Sequence, residues 1–265
     1  MAYKMCVLNN AKSTLCELTG NFQINCEYFI LQFKWNGPPP KAGQFFMLKG
    51  ERTSVFLGRP ISIFEYNLSQ NMIKFLISKK GAGTEELSQM RCGEKARLTG
   101  PLGNAWADFL PEKGKAALIG GSAGVAPLAA LVTEKPKYHF HFYAGFKNGF
   151  NKKEEENAAL GSALNTQKLV VTAEDGNNAQ SGRIIDFICE TENYDVIFAC
   201  GSTPMIKAVK EKFTKKNIPC YVSLESRMAC GTGACLGCTI RTNGGNRRCC
   251  ADGPIFSAGD IIFDD

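Results

Sequence analysis

The chain changes its hydrophobic rhythm twice. From the start to about Pro111 the chain carries short β-rich segments: Glu27 to Phe33, Gln44 to Leu48, Ile73 to Ile77 and Lys95 to Leu98. Gly/Pro turns at Asn36 to Pro40, Lys49-Gly50 and Gly100-Pro101 separate them, which predicts a small antiparallel barrel. One helix, Thr84 to Met90, is expected to interrupt it. From Gly114 onward, apolar strands (Ala116 to Ile119, Tyr138 to Tyr143, Leu169 to Thr172, Val196 to Cys200) alternate with helical stretches (Pro127 to Thr133, Gly182 to Cys189, Pro204 to Lys216). Alternation of that kind predicts a parallel α/β sheet. A third block, from about Cys220 to Asp265, is rich in cysteine and glycine. The expected fold class is therefore multi-domain β plus α/β, with an antiparallel barrel over 1–111, a parallel-sheet domain over 112–219 and a small cysteine-rich module over 220–265.

Composition narrows the function. A length of 265 residues suits two domains and an appendage. The net charge of +6 comes from 31 Lys and Arg spread along the chain, so anionic nucleotides are simpler partners than nucleic acid. The longest uncharged stretch, Ala116 to Thr133, is interrupted by Gly120, Gly121, Gly124 and Pro127, which suits a phosphate-binding turn better than a membrane span. Twelve cysteines without an apolar segment in Met1 to Lys12 point to a reducing, cytoplasmic setting. The charge run Asn151 to Asn157 reads as a solvated loop or helix end.

Candidate chemistry is densest near the C-terminus. Cys230, Cys235 and Cys238, followed by Cys250, form a C-x4-C-x2-C…C run, the plant-type ligand spacing of a [2Fe-2S] cluster. Gly231, Gly233 and Gly237 let the loop turn its N–H groups toward sulfur, and Arg227, Arg241, Arg247 and Arg248 flank it. Structural zinc also takes four thiolates, but zinc modules usually carry two C-x2-C knuckles and only one is present. A disulfide pair ranks last. The scattered Cys6, Cys16, Cys26, Cys92, Cys189, Cys200 and Cys220 read as small buried hydrophobes.

Phosphate-handling turns occur in the first two blocks. Arg59-Pro60-Ile61-Ser62 sets a guanidinium, a rigid turn and a hydroxyl together, able to grip a phosphate and lie against a flavin. Lys80-Gly81-Ala82-Gly83-Thr84 opens a helix whose dipole favours a pyrophosphate. Ile119 to Leu128, with Gly120, Gly121 and Gly124, joins a strand to a helix. A second such turn, Cys200-Gly201-Ser202, lies at the end of a later strand and is expected to face the same crevice. His139 and His141 share one face of a strand and read as packing residues.

Taken in order, RPISI, KGAGT, LTGPLGN (Leu98 to Asn104), GGSAGVAPL, ACGSTPM, SLESRMACGTGACLGC and CADGPIF resemble the electron-transfer subunit of class B, NAD-dependent dihydroorotate dehydrogenase, a ferredoxin-reductase-like flavoprotein. The resemblance covers nearly the whole chain. It implies an FAD-binding barrel, an NAD-binding α/β domain and a C-terminal [2Fe-2S] loop, in a subunit paired with an FMN-containing catalytic partner, two of each. Electrons would pass from the partner flavin to the cluster, to FAD and then to NAD⁺, in pyrimidine biosynthesis. By position, Arg59, Pro60, Ile61, Ser62, Gly83 and Thr84 correspond to flavin contacts, with Leu76, Ile77 and Ser78 adding backbone groups; Gly120, Gly121, Gly124, Cys200 and Gly201 correspond to the nucleotide turns. The cysteine of C-x-D-G-P selects Cys250 over Cys249 as the fourth ligand. No catalytic acid or base is implied, because the pyrimidine chemistry belongs to the partner. This chain departs from the family at Ser122 and Ser202, and no acidic ribose-binding residue follows the expected strand, where Gly145-Phe146-Lys147-Asn148 stands instead. A sulfide- or ferredoxin-linked NAD(P) reductase subunit would share these motifs, and a zinc-stabilised nucleotide-binding subunit without redox turnover is the reading from another class.

Overall fold

A computed structural model describes residues 11–51, 53–177, 179–188 and 192–263. The segment Met1 to Lys12, apart from its last two residues, lies outside them, as do Cys6 and Cys189. The first block forms β1 (Lys12–Gln23), β2 (Tyr28–Lys34), β3 (Phe45–Gly50), β4 (Arg59–Ser62), β5 (Glu65–Asn67), β6 (Met72–Ser78), α1 (Ala82–Ser88) and β7 (Lys95–Leu102). The strands make one antiparallel sheet in the order β4-β3-β7-β1-β2-β6-β5. No ladder joins its two edge strands, so it is a curled, open half-barrel whose β4 end folds back toward β6. Alternate residues of β1 and β7 point inward, as the period-2 rhythm requires. The interior is aromatic: Trp35 meets Phe46 edge-on at 4.9 Å and Phe46 meets Phe75 at 5.6 Å between centroids.

The second block builds β8 (Lys115–Gly121), α2 (Val125–Glu134), β9 (His139–Phe146), α3 (Lys153–Leu160), β10 (Lys168–Ala173), β11 (Gln180–Ser181), β12 (Val196–Cys200), α4 (Thr203–Thr214) and β13 (Cys220–Ser223). Then come β14 (Thr239–Thr242), β15 (Gly245–Arg248), α5 (Cys249–Asp252), β16 (Ile255–Ser257) and β17 (Ile261–Ile262). The second sheet runs β11-β10-β9-β8-β12-β13-β16, parallel except for β16. Strand order reverses between β8 and β12, so the crevice at the carboxyl ends of these two strands is where such a sheet binds ligands. A small sheet, β15-β14-β17, completes the chain.

Three elements differ from the sequence expectation. The helix expected over Gly182 to Cys189 does not form over the described residues 182–188, where only a 3-10 turn, Ile184–Phe187, is found. Lys212 donates from Nζ to the Ile185 and Ile188 carbonyls at 3.0 and 3.3 Å, taking acceptors that a continuing helix would use. The charge run becomes the start of α3, because Glu154, Glu155 and Glu156 fall in its first turn, where the helix dipole favours anions, and Ala159 and Leu160 bury its end. Finally, Cys220–Ser223 and Ile255–Ser257, placed above in the third block, are outer strands of the parallel sheet, so the cysteine-rich module is woven into the second domain.

Candidate functional site

The flavin motif occupies β4, held in register by β3: Phe45 pairs with Ser62, Phe46 with Ile61, Met47 with Pro60 and Leu48 with Arg59. All four motif residues are half-buried. Arg59 donates from Nη2 to the Leu57 carbonyl at 2.9 Å, whereas its Nε is buried without a hydrogen-bond partner, a donor in position for an anion. Gly83 brings α1 against that guanidinium; a Cβ there would lie 2.9 Å from Arg59 Cδ. Thr84 is turned inward on its own loop, accepting the Lys80 and Gly81 N–H groups at 2.9 and 3.2 Å and donating to the Gly81 carbonyl at 3.0 Å. Leu76, Ile77 and Ser78, all buried, pair with β2 on one side, while β5 extends only as far as Lys74 on the other, so among the described strands their second edge has no strand partner. Ser78 Oγ is buried without a partner.

The crevice predicted at the strand ends exists. A cavity of about 340 Å³ is lined by Gly121, Ser122, Lys147, Thr172, Glu174, Arg183, Ser202 and Met205 among others, with Lys80 from the first block and Glu225 from the third. Of the predicted nucleotide residues, Gly121 reaches the cavity wall. Gly120, Gly124, Cys200 and Gly201 stand behind it as packing: a Cβ on Gly120 would meet Val125 Cα at 2.9 Å and one on Gly124 the Cys200 carbonyl oxygen at 2.2 Å. Gly121 and Gly201 face each other across the two turns, with the end of the Met205 side chain packed against both. Cys200 is buried, and desolvation, with Glu225 adding to it, pushes its thiol up to about 12, so it stays neutral. The sequence reading missed Thr172, Glu174, Arg183 and Glu225, since nothing in a single strand reveals which chain ends share a rim. Glu174, at the end of β10 rather than β9, is an acidic residue on that rim.

The thiol loop wraps from β13 to β14. Gly231 and Gly233 take φ of +71° and +83° and Leu236 +59°, turning the backbone inward. As a result Thr232 and Cys235 aim N–H groups at Cys230 Sγ (3.4 and 3.5 Å), Gly233 at Cys250 Sγ (3.1 Å) and Cys250 at Cys238 Sγ (3.4 Å). Cys238 and Cys250 sulfurs are 3.2 Å apart. Burial opposes ionisation of Cys230, but the Cys235 and Thr232 N–H groups outweigh it and bring the thiol down to about 6. Cys250 is pushed up to about 12 by burial and by the adjoining Cys238 thiol. Cys249 turns away, donating Sγ–H to the Leu224 carbonyl at 3.1 Å, fully buried and with its thiol pushed up by desolvation. Arg248 grips Asp252 through Nε and Nη2 and reaches the Gly233 carbonyl at 3.4 Å, locking the loop to α5. Among the described residues no three Cys, His, Asp or Glu side chains crowd a single point closely enough for one metal ion. The donors instead fall into Cys238 with Cys250, in contact, and Cys230 with Cys235, joined by a backbone N–H.

His139 and His141 lie at the amino end of β9, away from the crevice. Their Nε2 atoms are 3.2 Å apart, and buried His141 meets the Tyr194 hydroxyl through Nδ1 at 3.0 Å. They are a polar network rather than simple packing.

Comparison with known proteins agrees with this geometry. The family described as "Iron-sulfur cluster binding domain of dihydroorotate dehydrogenase B" matches residues 225–262. Over 225 residues the chain is 38% identical to the electron transfer subunit of dihydroorotate dehydrogenase B (NAD(+)) of Clostridium acetobutylicum, spanning 85% of this chain and 87% of that one. The subunit of the same name from Caldanaerobacter subterraneus subsp. tengcongensis is 34% identical over 248 residues, 92% of this chain and 96% of its own. Among solved structures, an NADH-dependent reduced ferredoxin-NADP oxidoreductase superposes with a TM-score of 0.78 at 21% identity, over 95% of this chain and 91% of that one. A ferredoxin NADP+ reductase from Neisseria gonorrhoeae gives 0.62 at 14% identity, over 78% and 92%. The fold is that of the ferredoxin reductases, and the chain belongs to the family of dihydroorotate dehydrogenase B electron transfer subunits.

Proposed function

We propose that this chain carries electrons from the flavin of a dihydroorotate-oxidising partner, an FMN protein, through a [2Fe-2S] cluster and FAD to NAD⁺. When bound, FAD exchanges a hydride with nicotinamide and single electrons with the cluster, the conversion that one-electron and two-electron carriers require. The observation that carries the reading is the thiol loop, whose backbone N–H groups converge on the sulfurs of Cys230, Cys238 and Cys250. Backbone donors of this kind suit cluster thiolates, and the C-x4-C-x2-C…C spacing of the four cysteines suits a binuclear centre better than one tetrahedral zinc. Arg59 Nε and the unpaired edge of Leu76, Ile77 and Ser78 would hold the flavin; Gly121, Ser122 and the neighbouring cavity would hold the dinucleotide. The chain supplies placement and potential, and no acid or base for the pyrimidine.

Glu174 supports NAD over NADP, since an acidic rim group accepts a ribose hydroxyl and repels a 2′-phosphate. The assembly would contain two copies of each subunit. Co-expression with the FMN partner tests the reading: the pair should co-purify and reduce NAD⁺ on addition of dihydroorotate. Reduction of NAD⁺ with sulfide or ferredoxin but not dihydroorotate would assign the chain to another dehydrogenase.

A further inference from the structure

The segment Leu98 to Asn104 enters neither the flavin contacts nor the cavity, yet its last two residues make the contact that ties the flavin sheet to the thiol-bearing chain. Asn104 donates from Nδ2 to the Ile255 carbonyl at 2.8 Å and accepts the Ile255 N–H at Oδ1 at 3.0 Å. Its own backbone N–H goes to the Gly253 carbonyl at 2.8 Å. One residue of the barrel thus makes three hydrogen bonds to a stretch separated from it by 151 positions at Ile255, replacing the strand partner that stretch lacks on this side. Gly103, at φ +80°, makes the approach possible: a Cβ there would lie 2.5 Å from Pro254 Cδ and 2.9 Å from the Gly253 carbonyl oxygen.

Both ends of this clamp lead to a cofactor site. On the barrel side, Phe45 pairs with Ser62 of the flavin motif on one flank and with Leu102, two residues before Asn104, on the other. On the far side, the gripped stretch begins three residues after Cys250 and runs directly into β16. Met47 and Leu102 of the same sheet also receive the thiol loop, since a Cβ on Gly231 would meet them at 2.8 and 3.1 Å.

We propose that Asn104 is a positioning residue for electron transfer, setting the separation and orientation between the flavin on β4 and the cluster bound through Cys250; this rests on the function proposed above. NADH would give the bound flavin a hydride, and one electron would then pass to the cluster, taking one ferric ion to ferrous, with the second electron left on the flavin and a proton released to solvent. Electron transfer to the cluster depends on the gap that the clamp spans directly, whereas the nucleotide crevice lies at β8 and β12, with β13 between β12 and the gripped β16, so unequal effects on the two steps separate the role from general damage.

The experiment is anaerobic stopped-flow mixing of the purified holoprotein with NADH, following flavin and cluster absorbance, together with amide hydrogen exchange over residues 250–257. Asn104→Ala and Asn104→Asp are compared with wild type. Asn243→Ala serves as control, removing a bond from Nδ2 to the Gly259 carbonyl that stays within the C-terminal module. In both Asn104 variants the hydride phase should stay within about twofold and the cluster phase should slow by about tenfold or more, while exchange at Ile255 should accelerate in Asn104→Ala, which alone loses the acceptor for that N–H. The control should leave both phases alone. Asn104→Asp keeps the acceptor for the Ile255 N–H and decides the matter if Asn104→Ala does not fold. An unchanged cluster phase, equal slowing of both phases, or the same slowing in the control would overturn the proposal. A wild-type protein lacking any NADH-dependent flavin phase would instead defeat the functional reading on which it rests.

Discussion

Two adjacent cysteines, Cys249 and Cys250, start the same short helix and face opposite ways. Cys250 lies against Cys238 Sγ and receives the Gly233 N–H, whereas Cys249 is spent on the Leu224 carbonyl. Cys250→Ser should therefore abolish the iron content and the visible cluster absorbance, while Cys249→Ser should retain both; the reverse result would refute the ligand assignment. Spacing pointed to Cys230, Cys235 and Cys238, and the C-x-D-G-P resemblance to Cys250 over Cys249, whereas the opposed directions of the two adjacent side chains depend on which face of α5 meets the loop and follow from no spacing. His141 carries a second prediction at this scale. Burial lowers its imidazole below the ordinary value of 6.5, with Glu192 only partly opposing. The unfolded chain then binds a proton before the folded protein does, so stability is full above the ordinary value and falls as pH drops below it. Urea midpoints between pH ~7 and ~5.5 should decline, and His141→Asn should flatten that slope.

Strands and helices were readable where side chains obey one period. Parallel strands such as β8 and β12 announce themselves as continuous apolar runs, because both faces are covered. By contrast β1, with Lys12, Ser13 and Thr14 exposed and Cys16 and Leu18 inward, hides its alternation among polar residues. The helix expected over Gly182 to Cys189 failed because its carbonyls are bonded by Lys212 from a distant element, a tertiary contact no local pattern encodes. The turn glycines were read as phosphate contacts, yet most serve the junction of strand and helix. Gly124→Ala would place a methyl 2.2 Å from the Cys200 carbonyl oxygen, prying α2 from β12. It should lower stability by about 1–3 kcal/mol, seen as a lower denaturant midpoint with an unchanged slope.

At the scale of the whole molecule, the three blocks of sequence are not three beads. β13 and β16 thread the cysteine-rich stretch into the parallel sheet, and Asn104 fastens the half-barrel to the same stretch. Lys80 and Glu225 bring the first and third blocks to the rim of the crevice in the second. That mutual enclosure is what a relay of carriers needs, since each must sit within short reach of the next. None of it could be read from a linear order of motifs, although the motifs named the carriers. No helix among the described residues is long and apolar enough to cross a membrane. The central claim is that flavin, cluster and nicotinamide site act in one chain, and the visible absorption spectrum of anaerobically purified protein, before and after NADH, tests it most directly. Flavin and iron–sulfur bands that bleach on NADH addition are the predicted result; a colourless protein containing zinc would contradict the account.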